Sequence, residues 1–517
     1  MDKSPIIGKD VIESLTLGMY EDSRFIYREY IQNSADQIDK AVKEGLIDKQ
    51  DEEIHIIIDP KEQRVEFYDN ATGIEQSKVS SILRNIAQST KVRGVDKGFR
   101  GIGRLGGLGY CSKLIFETSA IGETVKSIMV WDAKLLKDII NNRSTKENAA
   151  EVIEKVTTVS IEPEKESDHY FRVILEDVSN KELLNIDSVR NYLAMVSPVG
   201  YKASFIYKSE VYKFIDANDL FIDTYKIYLN SEPINKLYTT DIKKQNKNSI
   251  DKIDEILKLE FFSEKATDGS ILYWGWYGIS SLKGQIPSYN EARGIRLRKA
   301  NIQLGSDETL SKFFPGEENR WSYYYFGEIH AVHPDLIPNA RRDYFSENDT
   351  CKEFEFTVKR HLKKLYDLAY AASKLNSSNR KIQEAINLEV DFTKKQNTSG
   401  FQSNEERLQM MEQLEKKRQE ATKAKEDIAK IKEKAEGSGL PIERIYEKNT
   451  TNKDVEFADI QGTTNNKTKF VTDKPEYSRY NKKERKFLGE IYAIIGNILP
   501  KDMSEMVIKK IEEELTK

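Results

Sequence analysis

Three short segments between Glu29 and Gly109, taken in their order, constrain this chain more than any other feature of its sequence. The first is REYIQNSADQIDKA, in which Glu29, Asn33 and Asp36 fall at i, i+4 and i+7. At about 100° per residue those offsets place all three on one face of a helix. A carboxylate, an amide and a second carboxylate on one stripe suit a hydrated Mg2+ ion, which prefers oxygen ligands and keeps several waters. The bland alternative is the solvated face of an amphipathic helix. The second segment is FYDNATGIE, a strand-like run ending in Asp69 and followed by Asn70, Ala71, Thr72 and Gly73. An Asp leaving a strand can accept a hydrogen bond from an exocyclic amine, and small residues beside it let a flat ring approach the backbone. Its alternative is a hairpin turn of Asp-Asn type. The third is KGFRGIGRLGGLGYCSK, with Gly98, Gly101, Gly103, Gly106, Gly107 and Gly109. Such a loop presents successive backbone N–H groups to phosphates. Gly101, Gly103 and Gly106 formally match GxGxxG, but polar and basic residues precede them where a dinucleotide fold needs a strand. No P-loop Lys-Ser/Thr pair follows either, so alone this segment also reads as a surface loop.

The surrounding pattern is mixed. Residues 1–200 read as an α/β domain: helical spacing through Phe25, Ile26, Ile31 and Ile38, then strand-like runs at Glu53 to Asp59, Arg64 to Asp69, Lys113 to Ala120 and Phe171 to Val178. Asp59-Pro60-Lys61 marks a hairpin turn between the first two runs. Residues 201–350 carry aromatic strands, ILYWGWYGI from Ile271 and WSYYYFGEIHAV from Trp321. Between them GIRLRKANIQLG, from Gly294, alternates basic and apolar residues and predicts a strand with one wet, cationic face. Residues 351–437 are helical and highly charged, with Leu414, Ala421 and Ile428 at heptad spacing, which leaves a coiled-coil arm and a solvated helix hairpin both open. A polar, Asn/Thr-rich linker follows over 438–478, and 479–517 regain apolar spacing as a small helical unit.

Composition sets outer limits. The 517 residues allow roughly three units at about 150 residues each. Lys+Arg 81 against Asp+Glu 85 gives a net charge of -4, which disfavours wholesale phosphate neutralisation but not a local basic groove. Cys111 and Cys351 alone build neither a disulfide framework nor a four-ligand zinc site. The first residues are charged where a signal peptide needs an apolar core, and no run of about 18 apolar residues occurs. The expectation is a cytoplasmic protein without a membrane partner.

Together, in this order, the three segments resemble the GHKL ATPase superfamily (gyrase B, the ninety-kilodalton heat-shock chaperones, histidine kinases and MutL), nearest the chaperone and MutL/MORC branches. Glu29, Asn33 and Asp36 look like its N-box, Asp69-x-Ala71-x-Gly73 like its first glycine box, and Gly101 to Gly109 like its second. IAQSTK, from Ile86 to Lys91, is similar to the segment that opens the lid. The resemblance implies an α+β chain: an N-terminal Bergerat-fold α/β sandwich, a second transducer-like α/β domain, a C-terminal helical arm and a small helical unit. It implies ATP and Mg2+ as ligands, with Glu29 as general base and Asn33 as the metal ligand. Asp36, Asp69, Gly73, Lys91, Gly101, Gly103, Arg104, Gly106, Gly107 and Gly109 would line the nucleotide site. LIPNARRDYF resembles the chaperone loop that supplies an arginine to the γ-phosphate, which puts Arg342 there, with Arg341 as its close alternative and Lys299 as a weaker candidate. Ala71 stands where the family has glycine, and the threonine that commonly supports adenine is not evident in HYFRVILEDV.

Histidine kinases lack the basic Glu, and among five histidines no phosphoacceptor box appears, so hydrolysis is favoured over phosphorylation. The resemblance then implies an ATP-dependent homodimer clamp acting on a protein or nucleic-acid client, in a chaperone-like, DNA-transaction or bacterial antiviral defence setting. The alternative is a nucleotide-gated DNA clamp or scaffold with negligible turnover, motivated by Arg293, Arg296, Arg298 and Lys299.

Overall fold

The computed structural model describes residues 7–16, 22–86, 103–142, 144, 147–401, 404–438 and 477–516. The chain divides into two compact units, 1–280 with 285–364 and 281–284 with 365–517. In the first, helix α1 (Asp10–Thr16) and helix α2 (Phe25–Lys43) precede the hairpin β1 (Ile54–Asp59) and β2 (Arg64–Asp69). Asp59 closes that hairpin by accepting from the N–H groups of Lys61 and Glu62. Helix α3 (Gln76–Arg84), β3 (Lys113–Ser119), β4 (Val125–Asp132), α4 (Ala133–Asn141), α5 (Ala149–Val156), β5 (Thr157–Pro163), β6 (Tyr170–Glu176) and α6 (Ile186–Val196) follow. After α7 (Lys208–Ala217) come the short strands β7 (Ile227–Leu229) and β8 (Glu232–Pro233).

These strands form one sheet in the order β5-β4-β3-β6-β2-β1-β7-β8. All neighbours are antiparallel except β1 and β7. One face carries Ile54, Ile56, Phe67, Leu114, Phe116, Met129 and Trp131 into a core completed by Tyr27, Tyr30, Ile31 and Ile38 of α2. The alternation of apolar residues along β1 to β4 is what lets a single helical layer cover the sheet there.

The same unit holds a ribbon, β9 (Asp241–Gln245) with β10 (Ile250–Glu255), and a second sheet. The latter comprises β11 (Lys258–Lys265), β12 (Ile271–Ile279), β13 (Gly294–Lys299), β14 (Ile302–Gln303) and β15 (Phe326–Ala331) in the order β11-β12-β15-β13-β14. Two expectations are corrected here. The run from Trp321 is not wholly a strand: Asn319–Tyr324 wind as a 3-10 helix and only Phe326–Ala331 pair. And β13 has no wet cationic face, because Arg296 and Arg298 are buried. Glu328 of β15 is the reason. Its carboxylate lies 2.5 Å from Arg298 Nε and 2.8 Å from Lys236 Nζ, and accepts from the Tyr201 hydroxyl at 2.7 Å. Arg298 also donates to the Met195 carbonyl at the end of α6, and Asn301 to the Val199 and Asp223 carbonyls. A buried charge is tolerated only when paired and hydrogen-bonded, and these three ions satisfy one another.

Helix α8 (Asp349–Lys394) leads into the second unit, where α9 (Asn404–Ser438) runs back along it. Lys417 to Glu384 and Arg418 to Glu389 link the two helices, and Leu414, Ala421, Ala424 and Ile428 are buried. The heptad residues thus lie in a helix hairpin. Helices α10 (Lys482–Ile498) and α11 (Lys501–Thr516) pack around Tyr477, Tyr492 and Ile508. No described helix is long and apolar enough to cross a membrane.

Candidate active site

Helix α2 gathers the segments singled out in the sequence. Glu29 and Asp36 are buried and Asn33 is half-buried among them. Asp69, the last residue of β2, abuts the same helix: its Oδ2 accepts from Ser34 Oγ at 2.6 Å and its Oδ1 from the Ala71 N–H at 3.2 Å. Burial pushes the Asp69 carboxyl up to about 6, against the opposing pull of those two donors. Ala71 directs its methyl into the core, so the missing glycine leaves the turn intact. Gly73 has φ +64, and a β-carbon there would collide with the Ser119 carbonyl. Beside it the Ile74 N–H donates to Thr118 Oγ1 at 2.9 Å, and Thr118 in turn donates to the Tyr170 carbonyl, tying this turn to β3 and β6.

The glycine-rich segment forms a 3-10 turn, Gly103–Gly109, packed on α2. Gly103 lies so close to Glu29 that a β-carbon would strike its Oε2. Tyr30 donates its hydroxyl to the Arg104 carbonyl at 3.0 Å and accepts from the Gly107 N–H at 3.2 Å. Arg104 turns its guanidinium to the Asn85 carbonyl, and burial lowers its pKa to about 10. Gly106 and Gly107 are buried, and Gly109 is half-buried. Lys91 and Gly101 lie outside the described residues.

From the other side comes the loop at Leu336 to Phe345, pinched by a bridge between Pro338 and Phe345. Within it Arg342 adopts φ +55, a left-handed conformation that costs about 1–2 kcal/mol for a side-chain-bearing residue. That turn drives its side chain inward. Arg342 Nε lies 2.8 Å from Glu29 Oε1, off-axis, as a close ion pair rather than an aligned hydrogen bond. Its Nη1 donates to Gln32 Oε1. Arg28, stacked over Phe25, reaches the carbonyls of Gln303, Arg341 and Arg342 at 3.4–3.5 Å. Arg341 is exposed. Lys299 is occupied in its own sheet, donating to the Val332 and His333 carbonyls.

The geometry therefore joins Glu29, Asp69 (through Ser34), the Gly103–Gly109 turn and Arg342 on one helix, and leaves Lys299 out. Sequence reasoning missed Arg28, Tyr30, Gln32, Ser34 and Thr118. All but Thr118 flank the N-box residues on α2, which was the only signal available for them. Among the described residues no group of three or more His, Cys, Asp or Glu is placed to hold a metal ion. An oxygen donor set of one amide with neighbouring carboxylates fits an ion that completes its shell from a ligand and water.

Residues 23–168 match the family model described as histidine kinase-, DNA gyrase B-, and HSP90-like ATPase. The matched segment holds every α2, β2 and glycine-turn residue named above. No curated protein matches the chain significantly.

Proposed function

We propose that this chain is a Mg2+-dependent ATPase of the GHKL type, in which nucleotide state drives closure of a homodimeric clamp on a protein or nucleic-acid client. The nucleotide-binding and hydrolytic part rests on the family match over 23–168. One observation carries the mechanism: Glu29 and the arginine from the second sheet's following loop, Arg342, meet at 2.8 Å beside the glycine turn.

In this reading Asp69, ionised at neutral pH, accepts from the adenine amine, and Gly73 keeps the ring's approach open. Backbone N–H groups at Gly103, Gly106 and Gly109 wrap the phosphates, with Asp36, Arg104, Gly107, Lys91 and Gly101 completing the site. Mg2+, held through the Asn33 amide oxygen, would neutralise phosphate charge. Glu29 orients and deprotonates the attacking water, a contribution of about 10²–10⁴-fold. Arg342 stabilises charge on the γ-phosphate. Because Arg342 holds Glu29 as an ion pair, its transfer to the phosphate both releases the base and supplies the cation. The helices of the second unit would carry client or partner binding. The motive for a DNA clamp was the basic strand, and Arg296 and Arg298 of that strand are interior.

The test is ATP turnover of Glu29→Ala beside nucleotide affinity. The expected result is a loss of about 10²–10⁴-fold in kcat with ATP still bound. Turnover equal to the parent chain would overturn the assignment.

A further inference from the structure

Tyr30 follows Glu29 on α2 and is buried, its ring 4.6 Å from that of Phe67 between centroids. A phenylalanine would fill that volume equally well, and a buried hydroxyl is tolerated only when its hydrogen bonds are made. Here both are made, and to one turn. The hydroxyl bridges the Arg104 carbonyl and the Gly107 N–H, the i and i+3 groups that a free 3-10 turn would pair by itself. A β-carbon on Gly107 would come 2.6 Å from this hydroxyl and 3.2 Å from the side chains of Leu114 and Leu175. Only a glycine lets the turn approach so closely. Glu29 abuts Gly103 at the start of the same turn, so two successive residues of α2 lie against it.

We infer that Tyr30 is a positioning residue for phosphate recognition, fixing the Arg104–Gly107 turn in register with Glu29 before nucleotide arrives. This rests on the ATP-binding reading above. A turn already ordered presents its other N–H groups without the cost of immobilising them, and keeps the base aligned with the terminal phosphate. A nucleoside without phosphates has no need of the turn.

The experiment measures binding of ATP, ADP and adenosine to the full chain and to Tyr30→Phe by calorimetry, with Mg2+ present. Tyr30→Phe is expected to weaken ATP and ADP about tenfold, near the worth of one hydrogen bond, and to leave adenosine within about twofold. Gly107→Ala, which moves the turn off the hydroxyl while leaving Tyr30 in the core, is expected to give the same phosphate-selective loss. ATP binding unchanged in both variants, or a loss shared equally by adenosine, would overturn the inference. Failure of the parent chain to bind ATP would instead refute the nucleotide assignment on which it rests.

Discussion

Replacing Asp69 by Asn separates the energetic cost of the site from its use. The carboxyl is buried and pushed up from 3.8 to about 6. Between those values the folded chain holds a proton that the unfolded chain has released, so stability falls as pH rises through the window. At pH 7 the shift of about two units corresponds to about 3 kcal/mol spent keeping the carboxylate ionised, and about half of that remains at pH 5. An Asn of the same shape retains both contacts: its oxygen accepts from the Ala71 N–H and its amide donates to Ser34 Oγ. Asp69→Asn should therefore be more stable at pH 7 by up to about 3 kcal/mol, a figure already net of the two charge-assisted bonds. The gap should close on acidification. ATP affinity should drop about 10- to 100-fold at pH 7, the worth of a hydrogen bond to a charged group. Urea unfolding of both chains at pH 7 and pH 5, with nucleotide titration alongside, reads all three. A variant less stable at pH 7, or a gap that widens at pH 5, would show that Asp69 is not a strained carboxylate and sink the reasoning.

Arg342→Ala should lower kcat about 10²–10³-fold with ATP affinity nearly unchanged, whereas Arg341→Ala should turn over as the parent does; equal effects in steady-state assays would refute the assignment of the inward arginine. His361 stacks on Phe262 with ring centroids 3.8 Å apart, and burial holds its pKa down to about 4. Its contribution is complete above the unfolded value of 6.5 and is lost as pH falls towards 4. His361→Phe should accordingly gain about 3 kcal/mol on the parent between pH 7 and pH 4 in denaturant titrations, and parallel pH profiles would contradict this.

Much of the fold was legible because one face of each strand is apolar. Arg64 to Asp69 pairs as its alternation predicts, and Ile271 to Ile279, an aromatic run buried along most of its length, pairs as a strand as well. The same rule failed at Arg296 and Arg298, since a period of two separates two faces without saying which is wet. Glu328, which makes the basic face interior, lies on another strand. At the site, Glu29, Asn33 and Asp69 stand out through spacing and order, whereas Arg342 is placed ahead of Arg341 only by resemblance; the left-handed backbone at Arg342 and its ion pair with Glu29 lie beyond the reach of spacing. Tyr30 gives no signal in the sequence, because its polar partners arrive only with the glycine turn.

The ion cluster around Glu328 also limits where the first unit can bend. Arg298 and Asn301 grip the carbonyls of Met195, Val199 and Asp223, while Lys236 follows the nucleotide-side sheet and pairs with Glu328. A pivot placed at that joint would strand a buried charge, at a penalty of about 3–5 kcal/mol. To select the bent form, ATP would need to favour it by roughly a hundred- to several-thousandfold. The short hairpin bearing Arg342 lies outside that joint, and any shift of its tip has to exchange the buried ion pair with Glu29 for another partner of the same charge.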